Sequence, residues 1–351
     1  MPAEPTNPSE ESGLFIEFPT TAELGYRMPA EWEPHDCIWL TTPHNPDTWP
    51  GCLDKAQAQY DNWMLEMSRF VRVQTTQALN IKTDDSWIRD YGPIFVVDDR
   101  GGLGCHSFRF NAWGRKYDPW DKDNSVPHQI AAHLKVALWR HDMVLEGGSI
   151  GVNGKGTLLT TESCLLHDNR NPELTRNQIE QQLHATLGTT HVIWMAGGLE
   201  GDDTDGHMDD IARFVTPDTI LAVRAPKGHP DHDILEKDWK ILTNSRDQDG
   251  QPLNIVPLPV PNPITYDFPP NKQIERGTYH LPASYANFLI SNGAVFVPVF
   301  GQHSDDQALK IIDHATPNLT VIPIRAEWIV VGRGALHCLS QQQPAVTQPT
   351  T

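Results

Sequence analysis

The sequence has no uninterrupted apolar run near the roughly 20 residues that a membrane-spanning helix requires. Residues 1–13 are rich in Pro, Ser and Glu and lack the basic start and apolar stretch of a secretory signal. They are expected to form a disordered lead-in. Positive charge is scarce: 27 Lys and Arg stand against 45 Asp and Glu, a formal net charge of −18. Binding nucleic acid rests on neutralising phosphates with Lys and Arg, so that class of partner is not expected. An acidic field favours a small cation, although many proteins are acidic for solubility alone. Cysteines are few and odd in number, Cys37, Cys52, Cys105, Cys164 and Cys338, with no CxxC spacing. A disulfide framework is therefore not expected, and reduced thiols in a cytoplasmic setting are the simpler reading.

There is no low-complexity linker and no repeat of identical residues. With 351 residues, 38% hydrophobic and 21% charged, the chain is long enough for a large buried core. Short β-branched runs bounded by turn residues predict strands at 37–40, 94–97, 157–160, 191–194, 219–223, 294–298 and 319–323. Helical spacing or cap residues predict helices over 52–70, 127–140 (opening at Pro127), 175–187 (N-cap Thr175), 231–243 and 304–314. The Pro-rich stretch 257–270 reads as a long ordered loop. Strands and helices alternate about five times, at intervals of roughly 50–60 residues, so the class is α/β.

Four segments concentrate chemistry-bearing residues: 84–93 (Asp84 through Trp87, Arg89 and Asp90 to Pro93), Glu146-Gly147-Gly148-Ser149, 201–210 with Asp202, Asp203, Asp205, His207 and Asp209, and the neighbourhood of Cys338. The acids around Gly206 do not follow the calcium-loop order, and His207 has no second His or Cys at zinc-ligand spacing. No metal and no cofactor is expected. Cys338 alone reads equally as a buried small hydrophobe. Combined with a distant His and several carboxylates, it fits a nucleophile with a base and an orienting group. A thiol protease would have little use for so many acids. A guanidinium ion does use them: it is planar, permanently charged, and offers N–H donors in a fork that carboxylates accept in pairs. Asp90 and Asp209 can hold its two sides and Trp87 can cover its face.

The segments Trp87-Ile88-Arg89-Asp90-Tyr91-Gly92-Pro93, Phe110-Asn111-Ala112-Trp113-Gly114, Glu146-Gly147-Gly148-Ser149, Gly206-His207-Met208-Asp209 and His337-Cys338 occur in this order. With supporting stretches at 119–123, 169–172 and 284–288, they resemble the agmatine deiminase family, which includes bacterial peptidylarginine deiminase-like proteins. The resemblance runs from about residue 29 to residue 344. It implies a pentein fold, a propeller of five ββαβ-type units around a pseudo-fivefold axis, as a single domain over 14–344 with a frayed tail at 345–351. It implies Cys338 as the nucleophile that forms an amidino-cysteine, His207 as general acid/base with Glu146 supporting it, and Asp90 and Asp209 as the guanidinium pair. Trp87 and Trp113 would line the pocket, or simply fill the core.

Two segments depart from the common pattern of the family. Arg333 and Ala335 lie in Gly332-Arg333-Gly334-Ala335-Leu336-His337-Cys338 where many members read Gly-Gly-Gly-Asn-Ile-His-Cys, and Asp205 precedes Gly206 where many have Asn. Both bear on the tail of the substrate. Agmatine, which carries a second amine, would be met by Asp202, Asp203 or Asp205. Free or C-terminal peptidyl arginine would need a cation for its carboxylate, from Arg333, Arg115 or Lys116. A catalytically silent guanidinium-binding protein is the reading from another class, and a homo-oligomer is compatible with the sequence. The thiol's activation is expected to depend on the bound cation.

Overall fold

The computed structural model describes residues 19–270 and 276–346. The expected disordered lead-in at 1–13 and residues 347–351 of the expected tail lie outside the described residues. Ala345, where that tail was expected to begin, donates its backbone N–H to Pro34 O at 2.8 Å.

The chain is α/β, with seventeen strands among the described residues. In order they are β1 (His35–Leu40), β2 (Arg72–Thr75), β3 (Ile94–Val97), β4 (Leu103–Arg109), β5 (Ala137–Val144), β6 (Gly151–Val152), β7 (Thr157–Thr161), β8 (His191–Met195), β9 (Ala212–Phe214), β10 (Thr219–Arg224), β11 (Asn254–Pro259), β12 (Ile264–Phe268), β13 (Gly277–Leu281), β14 (Leu289–Ser291), β15 (Ala294–Val299), β16 (Thr320–Arg325) and β17 (Ser340–Pro344). Fifteen of them form five three-stranded sheets: β17-β1-β2, β3-β4-β5, β6-β7-β8, β9-β10-β11 and β14-β15-β16. In each, the central strand runs antiparallel to the first strand named and parallel to the last. A parallel pair needs a long crossover, and each has a helix there. These are Leu53–Met67, Asp121–Leu134, Arg176–Leu187, His232–Asn244 and Asp305–Ala315. The first sheet is completed by the last strand, β17, which pairs with β1. The remaining two strands, β12 and β13, form a hairpin. No helix among the described residues is long and apolar enough to cross a membrane.

All seven expected strands are present, and four of the five expected helices match closely. Thr175 makes a full capping box with Gln178. Two expectations are corrected. The helix expected over 127–140 spans Asp121–Leu134, with Pro127 inside it, and ends where Lys135 turns left-handed at φ 58°. Pro is so common at helix starts that it placed this start six residues late, and residues 137–140 belong instead to β5. The stretch 257–270 is not a loop, since β11 and β12 run through it. Pro is tolerated there because β11 lies at the edge of its sheet, where one side of the strand needs no ladder hydrogen bonds. The main core draws buried side chains from Cys37 to Leu339, with Trp39, Trp49 and Trp63 among the largest.

Candidate active site

Four of the five three-stranded sheets bring the candidate residues together in the same way. Each places them in the turn just before its outer antiparallel strand. Asp90 precedes β3, Glu146 precedes β6, His207 and Asp209 precede β9, and Cys338 precedes β17. Asp90 sits in a one-turn helix, Ile88–Tyr91, which Gly92 and Pro93 end because a residue before proline is steered to extended backbone. Arg89 staples this turn to the segment that carries Cys338. Its backbone N–H donates to Cys338 O at 3.2 Å and its Nε to His337 O at 3.2 Å.

Distances among the acids are short. Asp90 Oδ1 lies 3.6 Å from His207 Nδ1 and accepts the Gly148 backbone N–H at 2.9 Å, while its Oδ2 accepts the Trp113 indole N–H at 2.9 Å. The Cys338 thiol points at Asp209 Oδ2, 3.7 Å away, which also pairs with His337 Nδ1 at 2.7 Å. Among the described residues, Asp209 Oδ1, both His207 ring nitrogens and Glu146 Oε2 are buried with no partner at hydrogen-bond distance. Such groups are costly to bury unsatisfied, so they offer contacts to a polar ligand. Gly148 permits this crowding: a Cβ there would meet His207 Nδ1 at 2.6 Å and Asp90 Oδ1 at 2.7 Å.

The electrostatics follow from burial. Burial works against a charged His207, but Asp90, Cys164 and Asp209 outweigh it and lift its pKa well above the usual imidazole value. Burial pushes Asp90 up to about 6, with His207 opposing and Asp209 adding to the rise. Cys338 is raised well above the usual thiol value by burial and by Asp209, Asp210 and Asp90. At neutral pH these directions favour a neutral Cys338 thiol and a protonated His207 ring. Alkylation proceeds through the thiolate. Labelling of Cys338 by iodoacetamide in the empty protein, mapped by mass spectrometry, is therefore expected to stay slow at pH 7 and to rise only above pH 9. Saturating guanidinium ligand should shift that rise to lower pH. Fast labelling of the empty protein at pH 7 would overturn this.

Cys338, Asp90, Trp87 and Trp113 line one pocket together with Asp85, Tyr117, Asp203 and Arg333. His207, Asp209 and Glu146 lie fully buried beside it. Trp87 stacks on Trp49, with ring centroids 5.3 Å apart and planes at 30°. Gly334 is needed against it, since a Cβ would come within 2.5 Å of the Trp87 ring. Trp113 lines the pocket while its N–H orients Asp90. Of the three acids expected to meet a substrate tail, only Asp203 lines this pocket. Asp202 turns inward to Thr204 and the His207 backbone N–H, and Asp205 pairs with Arg170 and Lys116. Of the three candidate cations, only Arg333 lines it. Arg333 Nη1 pairs with Asp203 at 3.3 Å, and Tyr117 also hydrogen bonds to that carboxylate.

Glu146 lies within 4.8 Å of His207 and Cys164, and its Oε1 takes a 2.6 Å bond from Arg170 Nε. Glu146, Cys164 and His207 have a donor set that a metal ion can use, as have Asp209, Asp210 and Cys338. Each trio already faces a fixed donor: Arg170 on Glu146, and the Asn287 side-chain N–H on both Asp210 and Cys338. Neither Arg170 nor Asn287 was picked out from the sequence. Each lies in a stretch that carried family resemblance, and nothing in its local pattern marked it for this place. All five cysteines are free and buried.

Comparison with known proteins gives a consistent picture. The family model for Porphyromonas-type peptidyl-arginine deiminase matches residues 27–344. A protein of Pseudomonas aeruginosa (strain LESB58) named agmatine deiminase is 36% identical, over 92% of this chain and 96% of its own. The solved agmatine deiminase of Enterococcus faecalis superposes with a TM-score of 0.89 at 32% identity, over 93% of this chain and 98% of its own. A dimethylarginine dimethylaminohydrolase structure shares the fold, with a TM-score of 0.53 at 14% identity, over 88% of this chain and 99% of its own.

Proposed function

Because the chain belongs to the Porphyromonas-type peptidyl-arginine deiminase family, we propose that it is an agmatine deiminase, hydrolysing agmatine to N-carbamoylputrescine and ammonia on a route to putrescine. The observation that carries this reading is the pair of buried carboxylates, Asp90 and Asp209, beside the Cys338 sulfur and the His207 ring. They supply opposing charge and acceptors for a buried guanidinium.

The substrate's charge lowers the thiol's pKa, and the thiol releases its proton to the medium. The Cys338 thiolate attacks the guanidinium carbon. Protonated His207 gives its proton to the departing nitrogen as the C–N bond breaks, so ammonia leaves and a cationic amidino-cysteine remains. Neutral His207 then takes a proton from water as the water oxygen bonds to the same carbon. The C–S bond breaks with its electron pair returning to sulfur, the hydroxyl proton restores the thiol, and the ureido product leaves. Glu146, held by Arg170, lies beside His207, and Trp87 covers the guanidinium face.

The amine of agmatine needs an acidic or neutral tail site. Asp85, Asp90 and Asp203 line the pocket against a single cation, Arg333, and that cation is already paired with Asp203. This favours a second positive charge over the carboxylate of arginine. Incubation with agmatine, free arginine and an arginine-ended peptide, followed by mass spectrometry, is expected to give ureido product chiefly from agmatine. Citrulline formed at an equal or greater rate would favour the arginine reading, and no ureido product from any of the three would favour a silent guanidinium-binding protein.

The five three-stranded sheets are read here as the five units of a pentein propeller. Their shared pairing order and helical crossovers support that reading, and the free cysteines suit a cytoplasmic setting.

A further inference from the structure

The fifth three-stranded sheet also has a turn before its outer antiparallel strand. The residue that turn presents is Asn287, two positions before β14. The side chain is fully buried and makes four polar contacts. Its oxygen accepts the backbone N–H of His337 at 2.9 Å and that of Cys338 at 3.3 Å. Its nitrogen donates to Asp210 Oδ1 at 2.9 Å and to Cys338 Sγ at 3.0 Å. The orientation of the amide is therefore determined. Flipped, it would set an NH₂ against two backbone N–H groups and leave an oxygen facing a carboxyl oxygen.

We propose that Asn287 is a catalytic residue, whose side-chain N–H holds the Cys338 sulfur in place and stabilises it whenever it carries negative charge. The inference rests on reading Cys338 as the nucleophile. Sulfur is a thiolate twice in the cycle: before it attacks the guanidinium carbon, and when the C–S bond breaks with its electron pair returning to sulfur. At both moments Asp209, Asp210 and Asp90 surround it with acidic groups. A donor aimed at a charged acceptor is worth more than one aimed at a neutral acceptor, so the contact strengthens as the charge forms. With Asn287 donating to sulfur, the thiol's own proton is directed the other way, to Asp209 Oδ2 at 3.7 Å. Asp210 is a positioning residue: it takes the second N–H of the amide, while Ser284 Oγ fixes the Asp210 backbone carbonyl at 2.7 Å. Each of the five sheets then contributes one turn to the same centre.

The test compares Asn287→Ala and Asn287→Asp with the unaltered protein. The pH profile of Cys338 alkylation by iodoacetamide should move upward in both, with labelling at pH 9 slowed by about 10- to 100-fold, the range expected for loss of one donor to a charged group. The kcat for agmatine should fall by a similar factor, and KM should change by less than about threefold, because Asn287 does not touch the guanidinium-binding acids. Asn287→Asp keeps an acceptor for both backbone N–H groups, so it carries the test if the Ala variant fails to fold. If activity falls while the labelling profile stays where it was, Asn287 only props up the backbone at 337–338 and the proposal fails. Labelling reports on the sulfur whatever the substrate is, so a protein inactive on agmatine would overturn the proposed function and leave this inference still open to measurement.

Discussion

Cys338→Ala is expected to lower turnover of agmatine by at least about 10⁴-fold, the scale on which removal of a covalent nucleophile acts, and to leave agmatine binding nearly intact. The separation of the two effects follows from geometry. The groups proposed to hold the cation are Asp90, Asp209 and Trp87. None of them depends on the thiol for its position: Asp90 is fixed by Gly148 and Trp113, Asp209 by His337, and Trp87 by its stack on Trp49. Removing sulfur also relieves crowding beside the acids, so affinity by calorimetry should be unchanged or modestly higher. Continued deimination by the Ala variant would show that water attacks directly and that no amidino-cysteine forms. Loss of binding together with turnover would show instead that the thiol organises the site.

The largest effect on stability is expected at Arg170. Its side chain is fully buried and ties three places together: Glu146 Oε1 at 2.6 Å, Asp205 Oδ2 at 2.7 Å and Thr204 O at 2.8 Å. Replacing one partner of a buried ion pair strands the other's charge away from water, which costs about 3–5 kcal/mol. Arg170→Met keeps most of the side chain's bulk and removes only the guanidinium, so denaturant unfolding should show a loss of that size. Arg176→Met is the matching control. Its partner is Glu162, both side chains are more than 40% exposed, and such pairs contribute about 0–1 kcal/mol. Equal losses in the two variants would mean that Arg170 is not the keystone described here. Activity should also suffer in Arg170→Met, because Glu146 and the 201–210 loop both lose their anchor next to His207.

The seven expected strands were legible because each is short, β-branched and closed off by turn residues, and Thr175 announced its helix as an N-cap, to which the structure adds a capping box with Gln178. Pro127 misled because its usual place at a helix start was taken at face value, whereas the helix tolerates it in the interior. At the site, the acids of 84–93 and 201–210 could be weighed from the sequence, since a guanidinium has few other reasons to attract so many. What could not be read was which acid faces the ligand. Asp202, Asp203 and Asp205 are near neighbours in the chain, yet one lines the pocket, one braces its own loop and one pairs with Arg170. That sorting depends on partners up to 130 residues away, as in the pairing of Asp203 with Arg333. Asn287 was hidden for the same reason: an asparagine between Ala286 and Phe288 has no local pattern that tells a sulfur contact from a turn.

The pairing of β17 with β1 sets Pro344 opposite His35 and fastens the segment carrying Cys338 to the first sheet. During synthesis the other contributors to the centre leave the ribosome well before this strand does. Asp90, Glu146, His207, Asp209 and Asn287 can gather, but the thiol arrives only when one of the final strands joins one of the earliest. Contacts of such long sequence separation form late because the whole intervening chain must first be ordered. On the proposed mechanism, a growing chain is therefore chemically idle until β17 pairs with β1.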